Sequence, residues 1–232
     1  MKNLLFTLTA ILLLSWSCTP PASPEASTED HSYFMVSFPG EEGEVLDGRL
    51  MLMLSSKEEG EPRFQISDGP STQQLFGLDV EGWKAGENMT FRSGAYGYPI
   101  TEIKDFPKGK YQVQVLFHKY ETFNRADGHT VKLPMDRGEG QQWNRAPGNQ
   151  YSSPQTWDFD PASAKILTVN LDQTIPAIED PADTKYIKHI KIKSEMLSKF
   201  WGRDMYLGAH VLLPEGFDEN PNVKYPLAIM HG

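Results

Sequence analysis

The stretch from Gly109 to His118, GKYQVQVLFH, decides the fold. Bulky apolar residues occupy its odd-numbered positions: Tyr111, Val113, Val115 and Phe117. Because side chains of a β-strand point alternately to its two faces, this two-residue period predicts a strand that packs one face into a core. Such a strand needs partner strands on at least one side, and other stretches of the chain supply candidates.

Short apolar runs bounded by Gly, Pro and polar residues recur on both sides of this strand. They lie at Tyr33–Phe38, Asp47–Leu54, Phe64–Ile66, Gly86–Phe91 and Lys165–Leu171. Several short strands at turn-spaced intervals, without a long amphipathic helical pattern, are typical of a β-sandwich. We therefore predict a mainly β fold, with an Ig-like β-sandwich over residues 33–180.

A long loop region, residues 120–160, interrupts this series of strands. It is rich in Gly and Pro but also carries Trp143, Tyr151 and Trp157. Loops of this length are functional or disordered more often than not, and the aromatic residues argue against disorder. We expect the region to pack across the sandwich or against a neighbouring domain. The three aromatics form a candidate ligand platform that stacks on sugars, and the alternative is a role in a core or an interface.

Metal and cofactor sites find little support in the sequence. His118, Asp127, His129 and Asp136 lie close together along the chain, but their spacing matches no zinc or calcium motif. The alternative of solvated loop side chains is the better explanation of this cluster. We predict no metal site and no cofactor.

The first residues resemble a bacterial lipoprotein signal. Residues 1–17 have a positive start at Lys2 and an apolar stretch too short to span a bilayer, and the chain's only cysteine, Cys18, follows directly. Ser15 departs from that pattern, which usually has leucine there, so an ordinary cleaved signal is the alternative. The resemblance implies lipidation at Cys18, a disordered tether over residues 18–32, and an exported periplasmic or cell-surface lipoprotein held to the membrane.

Composition narrows the choice of partners. The chain has 31 acidic and 22 basic residues, a formal net charge of −9, and no basic patch. Nucleic-acid binding depends on clustered positive charge, so we predict no nucleic-acid partner. With one cysteine, no intrachain disulfide can form.

The pattern changes after the linker at residues 176–183. Residues 185–193 alternate apolar and lysine positions, and a second predicted strand spans residues 204–213. An apolar run then leads from Tyr225 to Met230 and ends on His231-Gly232. We predict three strands within residues 181–232.

The order of these features resembles the start of an α/β-hydrolase domain. The similar group includes feruloyl and acetyl xylan esterase-like, enterochelin esterase-like and S-formylglutathione hydrolase-like proteins. The resemblance covers residues 185–232, about a fifth of the chain. The matching residues are Leu213, Pro214, Gly216, Phe217, Asp218, Lys224, Tyr225, Pro226, His231 and Gly232.

This resemblance implies the front part of an exported serine hydrolase that acts on small-molecule or glycan-linked carboxylic esters. In α/β-hydrolases an oxyanion-hole donor comes from the loop after the third strand, and His231 and Gly232 would begin that loop. No Gly-x-Ser-x-Gly occurs in the 232 residues. We therefore expect the nucleophile, acid and histidine of the triad to lie beyond residue 232, and the 232-residue chain to be inactive on esters.

A binding lipoprotein is the alternative function. In that case the β-sandwich recognises a carbohydrate or a partner protein, and the C-terminal strands only complete a β fold. The two hypotheses differ in one structural expectation. An α/β-hydrolase strand at residues 225–230 needs neighbours on both sides, so without them we expect it to be unpaired or paired non-natively with residues 204–213. A well-packed central strand there would weaken the hydrolase hypothesis.

Overall fold

The computed structural model describes residues 31–230. The prediction of a mainly β fold is confirmed, since these residues form fourteen strands and one short α-helix. The strands of the first part are β1 Ser32–Ser37, β2 Val45–Ser55, β3 Gln74–Lys84, β4 Met89–Arg92, β5 Tyr96–Tyr98, β6 Gly109–Lys119, β7 Glu121–Asn124, β8 Thr130–Leu133, β9 Gln150–Tyr151, β10 Gln155–Phe159, β11 Leu167–Asn170 and β12 Gln173–Thr174. The second part has β13 Ile187–Lys193, α1 Glu195–Trp201 and β14 Tyr206–Leu212.

Three long antiparallel strands form the centre of a large sheet. Its order is β12-β9-β6-β2-β3-β5, and β10 also pairs with β6. Leu52 of β2 lies opposite Val115 of β6 on one side and Phe76 of β3 on the other. The stretch from Gly109 to His118 thus lies in a central strand, β6, and the alternation of its residues correctly predicted a strand.

A small sheet packs on one face of the large sheet. In it β1 lies between β11, which runs parallel, and β4, which runs antiparallel. Phe34 of β1 contributes to the core that the two sheets share, together with Phe117 and Val115 of β6. We call residues 32–175 the two-sheet body, because these two layers enclose one apolar core.

The other face of the large sheet is also covered. Met51, Met53, Leu116 and Ile175 form a second buried group, which we call the outer cluster. Trp143 and Tyr151, from the long loop region, pack against it. This region therefore packs across the large sheet, one of the two arrangements that the sequence suggested.

Three local predictions in the body were wrong or incomplete. The long loop region, residues 120–160, contains the four short strands β7 to β10, which its many Gly and Pro residues concealed. Residues 64–66 do not form a strand, because a 3-10 turn occupies Pro62–Phe64 and proline lacks the N–H that a sheet would need. Strand β3 escaped prediction because glycines and acids interrupt its apolar run. At Gly77 a Cβ would lie 2.4 Å from a guanidinium nitrogen of Arg49 on the adjacent strand, so a larger residue there would displace the Arg49 side chain.

The second part of the chain, residues 184–230, is called the C-terminal segment. Here β13 and β14 pair antiparallel, from Ile187 opposite Leu212 to Lys193 opposite Tyr206. Helix α1 connects them and was not foreseen from the sequence. Ser194 caps it by accepting the Leu197 N–H at 3.3 Å, and Gly202 ends it with φ of 66°.

The third predicted strand is absent from the described part of this segment. Residues 224–230 have no regular secondary structure, and Leu227, Ile229 and Met230 are 81%, 83% and 97% exposed. Two of the three strands predicted within residues 181–232 are formed, and residues 225–230 are unpaired, as expected for an α/β-hydrolase strand that lacks its neighbours. The physical reason is that no strand lies beside residues 224–230 to satisfy their backbone groups.

A search for membrane-spanning helices among residues 31–230 finds none with the length and apolar character that a bilayer requires.

Candidate functional site

The C-terminal segment docks on the β7–β8 hairpin of the two-sheet body. Phe123 and Trp201 meet edge to face, with ring centroids 5.4 Å apart. The Ala126 N–H donates to the Phe200 carbonyl at 2.8 Å, and the Arg125 guanidinium lies 5.0 Å from the centroid of the Phe200 ring. Helix α1 is thus held by aromatic, polar and cationic contacts at once.

A single carboxylate strengthens this contact. Glu121 accepts from Arg137 of the long loop region through one oxygen and from Arg203 of the C-terminal segment, at 2.5 Å, through the other. Burial alone would raise the pKa of Glu121, but the hydrogen bonds and charges of Arg203 and Arg137 outweigh it and lower the pKa. The ionised carboxylate therefore joins three parts of the chain.

This docking leaves a cleft between the body and the C-terminal segment. Its volume is about 1320 Å³. The body forms one wall of the cleft, and the C-terminal segment forms the other. The wall from the body includes Phe123, Leu133, Arg137 and Gln141. The wall from the C-terminal segment includes His189, Trp201, Tyr206 and His210. Gln141 has a φ of 63°, which is uncommon outside glycine and is often associated with functional sites.

Two histidines and a carboxylate stand together on the C-terminal wall of the cleft. His189 and His210 are directly opposite each other on β13 and β14, and their ring centroids are 4.6 Å apart. Asp183 Oδ1 lies 3.2 Å from His189 Nδ1 and accepts the His189 backbone N–H at 2.9 Å. The sequence identifies His189 only as a strand position, because its partner follows only from the register of the hairpin.

The histidines and aspartates noted in the sequence do not converge. His118 lies on β6, where burial and then Arg137 lower its pKa to about 4. Asp127 pairs with Arg125 and His129 at the β7–β8 turn, and Asp136 accepts the Gly138 N–H at 2.8 Å. Within residues 31–230, no group of three or more His, Cys, Asp or Glu side chains is placed to hold a metal ion.

The three aromatics of the proposed ligand platform do not share a surface. Trp143 and Tyr151 pack on the outer cluster, whereas Trp157 packs against the core between the two sheets. The reason is the strand geometry: Trp157 lies opposite Tyr111 on β6, on the core-facing side. A single platform of all three is therefore ruled out, and only Trp143 and Tyr151 remain neighbours.

A buried polar network under the long loop region was missed by the sequence analysis. Gln114 is fully buried and donates to Glu61 at 2.8 Å, while its carbonyl oxygen accepts the Arg63 N–H at 3.0 Å. The Arg63 guanidinium in turn lies 4.1 Å from the centroid of the Tyr151 ring. Burial would raise the pKa of Glu61, yet its bonds to Gln114 and Arg63 lower it. With its groups paired, the network fixes the Pro62–Phe64 turn to the sheet.

Three residues singled out in the sequence lie outside the described residues. These are the lipidation candidate Cys18 and the oxyanion-loop candidates His231 and Gly232. The signal at residues 1–17 and nearly all of the tether at residues 18–32 also lie outside them.

Comparison with protein-family models, with curated proteins and with solved structures gave no match. The chain's own residues are therefore the basis for assigning a function.

Proposed function

We propose that this chain is the front part of an exported serine hydrolase that acts on carboxylic esters. The observation that carries the proposal is the order of elements in residues 185–232. An antiparallel pair of strands is followed by Leu213-Pro214-Glu215-Gly216-Phe217-Asp218, then by Lys224-Tyr225-Pro226, and then by an apolar run to His231-Gly232. The same order occurs at the start of the esterase-type α/β-hydrolases described above.

Local geometry in this segment supports the proposal. The Phe217 N–H donates to the Pro214 carbonyl at 3.2 Å, and Gly216 has a φ of 73°. These features make a tight turn directly after β14. The Phe217 and Tyr225 rings lie 5.5 Å apart, so the chain returns to that turn before the apolar run begins. In the α/β-hydrolases that this segment resembles, the third strand lies between the fourth and fifth strands, which would follow residue 232.

The chemistry of ester hydrolysis gives His231-Gly232 its role in this proposal. Negative charge develops on the carbonyl oxygen, and backbone N–H groups held in place stabilise it. Glycine permits the sharp turn that would bring such donors to the end of the strand. The nucleophilic serine, the acid and the catalytic histidine would follow residue 232, so the 232-residue chain itself would not hydrolyse esters.

The two-sheet body would be an Ig-like module in front of the hydrolase domain. Residues 1–18 would export the protein and anchor it through Cys18 at a membrane surface. Substrates would be small-molecule or glycan-linked esters, reached through the cleft that the body and the C-terminal segment share.

Reading the coding sequence beyond the Gly232 codon tests this proposal. We expect a Gly-x-Ser-x-Gly downstream, and hydrolysis of p-nitrophenyl acetate by the longer product that is lost when its serine is changed to alanine. The 232-residue chain should stay at the buffer rate. A stop codon directly after Gly232, or continuation without such a motif, would overturn the proposal.

A second candidate function is ligand binding, with the chain as a cell-surface lipoprotein that recognises a carbohydrate. The cleft favours it, because Trp201 and Tyr206 offer aromatic surface beside several carboxylates. A panel of soluble glycans should then contain one that raises the melting temperature of the whole chain, and Tyr206→Ala should remove that shift. A panel without any shift argues against a carbohydrate ligand and leaves a partner protein as the remaining form of this hypothesis.

A further inference from the structure

The His189–His210 pair has the placement of two ligands for one metal ion. The two residues are cross-strand partners, so their side chains project from the same face of the hairpin. Their rings lie 4.6 Å apart between centroids, at an angle of 83°. Imidazole nitrogens coordinate zinc at about 2.0–2.1 Å, so rings at this separation can share an ion after small rotations of their side chains.

Asp183 supplies the support that metal-binding histidines usually have. A coordinating imidazole typically donates its other N–H to a carboxylate, which fixes the ring and its tautomer. Asp183 Oδ1 is 3.2 Å from His189 Nδ1, and its other oxygen lies 3.8 Å from Lys188 Nζ. This arrangement leaves Nε2 of His189 as the nitrogen for an ion.

Neighbouring charges leave the position accessible to a cation. Lys191 lies on the same face of β13 as His189. Its Nζ is 5.6 Å from the centroid of the Tyr206 ring, so the ammonium group makes a cation–π contact there. Asp183, Glu179 and Asp180 line the same cleft and make its local charge more negative. A divalent ion would therefore enter an acidic cleft and meet two imidazoles.

We propose that His189 and His210 bind a divalent transition-metal ion of the copper, nickel and zinc class, with Asp183 orienting His189. Since no third His, Cys, Asp or Glu ligand is grouped with them among residues 31–230, water or a small ligand would fill the other positions. The ion would consequently be exchangeable, and affinity should follow the order copper above nickel and zinc. This site is independent of the proposed ester hydrolysis.

Titration calorimetry with Ni²⁺ and Zn²⁺ tests the site directly. The chain should carry no histidine tag and should have Cys18→Ser, because the single thiol also binds these ions. One ion should bind per chain. Asp183→Ala should weaken metal binding by about 10–100-fold, the usual loss when the hydrogen-bonded partner of a metal ligand is removed. His189→Gln and His210→Gln remove a ligand itself, so each should weaken metal binding by more than that.

His129→Gln is the matched control. His129 also has a carboxylate near its Nδ1, from Asp127 at 3.3 Å, but it is 74% exposed and no second histidine faces it across its hairpin. This variant should keep the parent dissociation constant. Cu²⁺ added to the parent should give an electron paramagnetic resonance spectrum with two equivalent nitrogens, reduced to one in His210→Gln. Binding that survives His210→Gln, or that falls equally in His129→Gln, would overturn the proposal.

Discussion

Strands β6 and β13 have the same alternating pattern, yet they end in opposite environments. Val113, Val115 and Phe117 of β6 are at most 1% exposed, whereas Ile190 and Ile192 of β13 are 43% and 57% exposed. The difference lies in what surrounds each strand. β6 is central in a sheet covered on both faces, and β13 belongs to a two-stranded sheet with an uncovered face. Alternation specifies a strand, but only further layers turn its apolar face into a core.

Polar groups show the same contrast. In the body, Gln114 is buried and fully paired inside the network with Glu61 and Arg63. In the C-terminal segment the lysines of β13 stay at the surface, and none of the residues of α1 is buried. Stability should therefore be concentrated in the body, and the following predictions test that division.

The largest effect is expected from Phe117→Ala. Removing a buried phenyl ring leaves a cavity in the core and should lower the free energy of unfolding by about 3–5 kcal/mol. Ile192→Ala, the matched change on β13, should cost no more than about 0.5 kcal/mol, because its side chain is already largely in water. Urea unfolding followed by tryptophan fluorescence measures both values. Equal losses would mean that the C-terminal segment has a core of its own.

Gln114→Leu should have the next largest effect. The change keeps a similar volume but removes the acceptor of the Arg63 backbone N–H and the amide that donates to Glu61 and to the Ser152 carbonyl, at a cost of about 1–3 kcal/mol. Gln112→Leu on the same strand is the control, since the Gln112 side chain donates to Thr156 at an exposed position. If both variants unfold at the same urea concentration, the network contributes nothing to the body.

The energy that couples the body to the C-terminal segment through Phe123 and Trp201 should be smaller than either of these losses. A double-mutant cycle on Phe123 and Trp201, with each changed to alanine, should give about 1 kcal/mol of interaction, as expected for an edge-to-face aromatic pair. Hydrogen exchange should become faster in α1 in both single variants and stay unchanged in β2 and β6. Met196→Ala, at a helix position 82% exposed, is the control. If the two alanine substitutions change the free energy of unfolding additively, the aromatic contact does not couple the body to the C-terminal segment.

The fourth prediction concerns the pH dependence of stability, through the partly buried side chain of His118. Burial lowers its pKa from 6.5 to about 4, so the folded chain binds this proton less readily than the unfolded chain. The neutral ring therefore contributes fully to the free energy of unfolding above pH 6.5. This contribution declines as the pH falls toward 4. His118→Gln should flatten that decline in urea midpoints measured across this window. The Gln112→Leu variant should keep the parent's slope.

How far the sequence predicted this molecule can be judged from single elements. β6 was foreseen because its apolar residues alternate without interruption. β3 was not, since Gly77 and Gly82 break its pattern, and the arginine that packs over Gly77 comes from another strand. Helix α1 could have been found from its caps, Ser194 and Gly202, but seven residues between two strands resembled an extension of them.

The candidate site was less predictable than the fold. The His189–His210 pair exists only in one register of β13 against β14, and a shift by one residue would separate the two rings. The cleft depends on docking through Glu121, whose two arginines come from distant parts of the chain. Neither the register nor the docking leaves a local signal in the sequence.

Glu121 also has a consequence for how the molecule responds to its medium. Dissolved salt screens charges that lie more than about 8 Å apart at physiological ionic strength, but it screens a partly buried pair in direct contact much less. Glu121 contacts Arg203 at 2.5 Å, and the Phe123–Trp201 contact carries no charge. Both contacts should therefore persist when the salt concentration rises. The width of the cleft would then be the same in dilute and in saline media, and small-angle scattering should record an unchanged radius of gyration.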